Sequence, residues 1–182
     1  MHKSKTAFFN TVLTHLGERR VNDANSTEDS AVVIRDLYQP SLDELLQLYP
    51  WQCASARARL ARVSGENYSG YEYAYQLPED CLAVREILNK QYKAIEVAYL
   101  REGRILYCDL ADVVITYTKR AELSDLDSML QEAAALLIAS KAAYKITQNQ
   151  SLGQTLYAMY QKAEQDAEYS DGIQRLNQRE DR

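Results

Sequence analysis

Nucleophilic, metal-binding and acid–base chemistry draws on a few residue types, and this chain of 182 residues is sparing with them. It has two histidines, His2 and His15, and three cysteines, Cys53, Cys81 and Cys108. A zinc site needs about four Cys, His or acid ligands in a tight constellation. No CxxC pair or comparable cluster is spelled out here. Three widely spaced cysteines read as reduced, mostly buried thiols. The sequences GxSxG, GxxxxGK[ST], HExxH and GxGxxG do not occur. Glu79 and Asp80 are adjacent carboxylates, but neighbours on a turn face water more readily than they flank a substrate. Cys81 follows them, and a nucleophilic thiol needs a base that neither histidine supplies nearby in sequence. The expectation is a protein that is not an enzyme, with no catalytic, metal or cofactor-binding residue to nominate.

Two other groups can make contacts. Arg57, Arg59 and Arg62 form the densest basic cluster. They can meet phosphate or an acidic partner, or lie on a solvated face balanced by nearby acids, which is the plainer reading. Tyr71, Tyr73 and Tyr75 recur every second residue, the period of one strand face. Core packing against flanking helices, a subunit or tail interface and base stacking are all open to them. Fourteen tyrosines stand against two phenylalanines and one tryptophan. Tyrosine suits surfaces that are half dry and half wet, subunit interfaces included.

Charge restricts the partners. The chain has 21 basic and 26 acidic residues, net −5. A domain that grips DNA by its phosphates usually carries a basic excess. Residues 1–50, 51–122 and 123–182 carry −2, 0 and −3, so no block is strongly basic. No apolar run approaches the roughly 20 residues that span a bilayer, so no membrane partner is expected. The first twenty residues lack a continuous apolar region and do not make a convincing signal peptide.

The elements that must position these residues fall into helices, then strands, then helices. Phe8, Phe9, Val12, Leu13 and Leu16 predict a helix over 5–16, with Gly17 as its C-cap. Ser26 or Thr27 can cap the next helix, which carries Ala31, Ile34, Leu37 and Tyr38. Pro40 should break or kink it, with Ser41 capping a continuation that Pro50 stops. From Trp51 the period shortens. Residues 51–63 read as a strand or a short helix, the strand being favoured, and strands are expected at Tyr71–Tyr75, at 81–88 with Leu82, Val84 and Ile87 inward, and at 94–101 and 104–108 around a Glu102-Gly103 hairpin. A further strand is expected at 111–120. Pro78 sets a turn between the second and third. Ser124 to Asp127 caps a long Ala-rich helix ending near Thr147, and 151–169 forms another. The last stretch, SDGIQRLNQREDR, is too polar to order itself by burial alone. A disordered tail, an arm laying Ile173 and Leu176 into an apolar groove while Arg175, Arg179 and Arg182 meet acids, and a continued helix are its three readings, the last the least expected.

The order of these blocks, with five short signatures, resembles the head-to-tail adaptor (connector) proteins of tailed bacteriophages. The nearest group is the tail tubular protein A type, together with portal-adaptor head-completion proteins. The signatures are HLGERRV at the end of the first helix, the Tyr49-Pro50-Trp51 junction, CASARARLARV after it, GYEYAYQLPEDCLAVREI, and the Ala-rich pair EAAALLIASKAAYKIT and LYAMYQKAEQDAEY. The resemblance spans about residue 5 to about residue 170. Cys53 stands where the family often has phenylalanine, and Pro40 interrupts the second helix.

The resemblance implies an α+β fold. N- and C-terminal helices (5–50 and 124–169) form a helical bundle, with an antiparallel β-rich insertion at about 51–120. Residues 1–170 make one adaptor domain and 171–182 a poorly ordered C-terminal arm. It implies a virion structural protein at the head–tail junction, assembled in the host bacterial cytoplasm. Its partners would be the portal protein, a downstream nozzle or tail tubular B-type protein, and further copies of itself in a ring, commonly of twelve. Double-stranded DNA would pass through the lumen without specific binding. No cofactor is implied. The portal-binding candidates are Ile173, Arg175, Leu176, Arg179 and Arg182, and the interface candidates are Tyr71, Tyr73, Tyr75, Arg57, Arg59 and Arg62. The alternative is a small monomeric α+β module that binds DNA or a regulatory partner through the three arginines.

Overall fold

The computed structural model describes residues 4–89 and 91–180. The fold is α+β, and the described residues form four α-helices and eight strands paired antiparallel in two sheets. The chain divides into two compact units. One is helical and combines the residues up to Cys53 with those from Ala121. The other is Ala54–Arg120 and holds every strand.

In the helical unit, α1 (Lys5–Leu16) begins at Ser4, whose hydroxyl accepts the Ala7 N–H. It ends at Gly17, which takes φ 72° and returns its N–H to Leu13 and Thr14. A side chain is strained at that φ, so glycine is the residue that stops the helix there. The polar loop that follows is held by side chains. Asn10 accepts the Val21 N–H at 2.8 Å and donates to the Val21 carbonyl at 3.0 Å. Arg35 donates to the carbonyls of Ala24 and Ser26.

Helix α2 (Asp29–Leu48) differs from expectation at both its start and its middle. Its N-cap is Glu28, without a side-chain capping bond. Ser26 instead accepts the Glu28 N–H, one residue outside. The helix then continues without a break through Pro40. Proline removes one donor and crowds the carbonyl four residues back. Here the ring is on the exposed side, where water can take up the freed carbonyl. Tyr38, Leu42, Leu45 and Leu46 on the other side are buried and hold the helix together. Ser41 is buried mid-helix, where it accepts from Lys141, and caps nothing.

Helix α3 (Ser128–Thr147) packs against α1, α2 and α4 (Gln150–Glu180). Asp127 caps it by accepting the Leu130 N–H at 2.8 Å. Its alanines, Ala133 to Ala135, Ala139, Ala142 and Ala143, are all buried and let three helices approach it. Gly153 of α4 sits so close that an added Cβ would be 3.2 Å from the Ser140 carbonyl oxygen. The region expected as an arm from residue 171 is the continuation of α4. Its helix has packed partners at Asp171 and Arg175, which the polar composition of the segment did not announce.

The strand unit has two four-stranded sheets. One has the order β1 (Ser55–Arg59), β8 (Val114–Lys119), β4 (Cys81–Leu88), β5 (Ala94–Ile95). The other is β2 (Ala61–Val63), β3 (Tyr73–Gln76), β7 (Ile105–Cys108), β6 (Leu100–Glu102). Buried Leu60 separates β1 from β2, which enter different sheets. Leu60, Tyr75, Leu77, Ile87, Leu106, Cys108, Val113, Ile115 and Tyr117 form the unit's own core.

The expected hairpin forms, with Glu102 opposite Ile105 and Gly103 at φ 56°. The expected strand over 94–101 is two short pieces, β5 and β6, because 96–99 leave the ladder. In β4, register shifts between Cys81 and Ala83 and between Val84 and Glu86 break the two-residue period. Ile87 is therefore buried while Leu82 and Val84 are only half-buried. No helix among the described residues is long and apolar enough to cross a membrane.

Candidate functional site

The last third of α4 is the most unusual surface of the helical unit. Helices α3 and α4 are joined by Gln148 and Asn149 and pack on each other. Helix α3 has 20 residues and α4 has 31. At about 1.5 Å rise per residue, α4 is longer than its partner by roughly 16 Å. Its buried side is set by Leu156, Tyr160, Ala167 and Asp171. Tyr169, Ile173 and Leu176 lie at i, i+4 and i+7, on the other side. They are 74%, 41% and 62% exposed, an apolar ridge open to water.

A polar clasp holds this overhang. Asp171 is only 5% exposed. Its carboxylate accepts the backbone N–H of Gln52 at 2.9 Å and the Arg175 guanidinium at 2.9 Å. Gln52 returns a side-chain bond to the Asp171 carbonyl at 2.9 Å. Arg175 also donates to the Pro50 carbonyl and sits 5.6 Å from the centroid of the Tyr49 ring. Tyr49 packs on Trp51 at 4.8 Å, and the Trp51 indole donates to the Leu45 carbonyl at the end of α2. The Tyr49-Pro50-Trp51 junction is thus seated between the end of α2 and the overhang of α4. Burial, then the Asp127 and Asp171 charges, push the nearby Cys53 thiol up to about 11.

The clasp changes the role of one expected residue. Arg175 was expected to reach a partner's acids, but its own Asp171 already pairs with it. Ile173 and Leu176 are exposed, as a docking surface requires. Arg179 lies in the last turn of α4, and Arg182 lies outside the described residues. Sequence reasoning missed Asp171 and Tyr169. The spacing 169/173/176 was available as a signal, whereas nothing local marks Asp171, whose partner is 119 residues away.

The strand unit separates the remaining candidates. Arg57 and Arg59 lie on β1, the edge of one sheet, and Arg62 lies on β2, the edge of the other. Charged side chains on edge strands discourage pairing with another chain. Arg59 faces Asp112 at 3.4 Å. Arg62 stacks 3.9 Å from the centroid of the Tyr73 ring and donates to the Ala111 carbonyl. The three tyrosines do not form one face. Tyr75 is in the core and donates to the Leu110 carbonyl, Tyr73 lies half-buried under Arg62, and Tyr71 precedes β3 in a bend. Tyr75 packs with strand residues of its own unit.

The thiols are suited to packing. Burial raises Cys81 and Cys108 as it does Cys53, which lowers the thiolate fraction that reacts. Among the described residues no group of three or more His, Cys, Asp or Glu side chains could hold a metal ion. No family model matches the chain, and no curated protein matches it.

Proposed function

We propose that the chain is a non-enzymatic structural adaptor at the head–tail junction of a tailed bacteriophage. It forms a ring, commonly of about twelve copies in such adaptors, beneath the portal. The observation that carries this reading is the overhang of α4. A helix that outruns its neighbour and keeps three large apolar side chains in water is suited to lie in a groove of another protein. Ile173, Leu176 and Tyr169 would be its anchors on the portal. The clasp at Asp171 would fix their direction and limit the ordering cost of docking. The five sequence signatures of the adaptor family add to the reading, and three of them fall at structural joints: the α1 cap, the α2 end and the α3–α4 pair.

Charge is consistent with the proposal. Ten basic and nine acidic residues give Ala54–Arg120 a net +1, and the remaining chain, with eleven against seventeen, carries −6. A dozen copies total roughly −60, and acids that face a lumen repel phosphates so that DNA slides. Below the ring, a downstream tail protein would find its platform. Against the alternative of a DNA-gripping module, Arg59 and Arg62 are engaged within the chain and the three arginines are on two different sheet edges.

The test is sedimentation of the full chain with the assembled portal ring from the same particle. Ile173→Asp with Leu176→Asp should leave circular dichroism unchanged, because both side chains are exposed, and should abolish co-sedimentation. Unaltered co-sedimentation of that double variant would refute the assignment of the ridge.

A further inference from the structure

A head-to-tail ring contact joins two different surfaces of the same chain, and the structure offers a projecting aromatic side chain beside a carboxylate and an open slot beside an ammonium group. The slot lies on the α3–α4 pair. Ser140 and Gly153 form its floor, exposed Tyr144 and Tyr157 form its walls, and its volume is about 420 Å³. Gly153 lets α4 approach α3 closely there, since an added Cβ would be 3.2 Å from the Ser140 carbonyl oxygen and 3.4 Å from Ala143 Cβ. Lys145 is exposed next to Tyr144, and its ammonium has no partner among the described residues. The knob is Tyr68, the most exposed large hydrophobic side chain of the described residues at 87%. Its loop is built in advance of any contact. Asn67 accepts from the Ser69 amide and hydroxyl at 3.0 and 2.6 Å and donates to the Tyr71 carbonyl at 2.7 Å. Glu66 accepts from the Tyr68 hydroxyl, which places a carboxylate beside the ring.

We propose that Tyr68 of one copy inserts between Tyr144 and Tyr157 of the next, with Glu66 meeting Lys145. A rigid aromatic anchor entering a pocket is the usual centre of an interface, and the loop's prior order limits what is lost on binding. The opposite charges set the direction of the contact and discourage like-to-like pairing. The 420 Å³ slot has room for an aromatic side chain. The contact is one of the two that each subunit of the proposed ring makes with its neighbours, and it rests on that reading.

The experiment places the photoreactive residue p-benzoylphenylalanine at position 68 of the full chain. The chain is irradiated alone and on the assembled portal ring. The expected product is a covalent dimer joining position 68 to a peptide within 140–157. Its yield should fall about tenfold in Tyr144→Ala with Tyr157→Ala, the effect of losing one anchor. Glu66→Lys and Lys145→Glu should each reduce it as well. Mixing a probe-bearing Glu66→Lys chain with the Lys145→Glu chain should restore it, because the swapped charges match across the contact. No dimer under either condition, attachment to another segment such as the α4 ridge, or failure of the charge swap to restore the yield would overturn the contact. A ring that binds the portal while position 68 links elsewhere sinks the contact and leaves the adaptor reading standing. A correct cross-link in a chain that never binds the portal does the reverse.

Discussion

Removing the Asp171 carboxylate should free the end of α4 without unfolding the protein. In Asp171→Ala the Gln52 N–H and the Arg175 guanidinium both lose an acceptor at 2.9 Å. Hydrogen bonds to charged groups contribute about 1.5–3 kcal/mol each. The Arg175 side chain is 34% exposed, so water screens its share. A total of about 2–4 kcal/mol is the reasonable figure, and it falls on a segment that extends past α3. Opening of the last turns should become roughly thirty- to several-hundred-fold more frequent. Hydrogen exchange followed by mass spectrometry reads this directly. Peptides covering 168–180 and 49–53 should lose protection together, while those covering α1 should not change. Asp171→Asn keeps an acceptor for Gln52 and should show the smaller effect. A second readout is chemical, because the Asp171 charge helps to raise the Cys53 thiol. Either substitution should speed its reaction with a thiol reagent. Unchanged exchange in both peptides, or loss of protection throughout α1 to α3, would refute the reasoning.

Other consequences follow from single contacts. In the intact protein the Cys53 thiol, near 11 against an ordinary 9.0, should react about a hundredfold more slowly near neutral pH than a free thiol; kinetics in native buffer and in denaturant compare the two. Burial, with the Asp80 charge, raises the Tyr117 hydroxyl to about 12 from 10.0. The folded state therefore holds that proton more tightly than the unfolded chain. Its contribution is fully present below pH 10 and is lost as pH rises to 12. Tyr117→Phe should flatten that part of a stability-against-pH curve relative to the parent chain. Gly153→Leu should cost about 1–3 kcal/mol by forcing α3 and α4 apart, read as a lower thermal midpoint.

Local chemistry was what the sequence disclosed best. Gly17 as a C-cap, Asp127 at the start of α3 and the Glu102-Gly103 hairpin each depend on residues within one turn, so their types and spacing suffice. Pro40 does not break α2, because that outcome depends on which side of the helix faces water, a tertiary property. The two shifts of register in β4 are likewise invisible to a two-residue period. Tyr71, Tyr73 and Tyr75 share a parity but not an environment, since β3 begins only at Tyr73. The candidate site was half legible. Ile173 and Leu176 are exposed and on one ridge as a docking helix requires. Asp171 was hidden because its acceptor role is defined by Gln52, far away in the chain.

The central claim, that this chain builds a ring on a portal, is tested most directly by native mass spectrometry of the full chain mixed with the assembled portal ring from the same particle. The account predicts a single dominant complex heavier than the portal by about twelve copies of the chain. A portal ring that leaves the mixture at its own mass, with the chain entirely free, would contradict it.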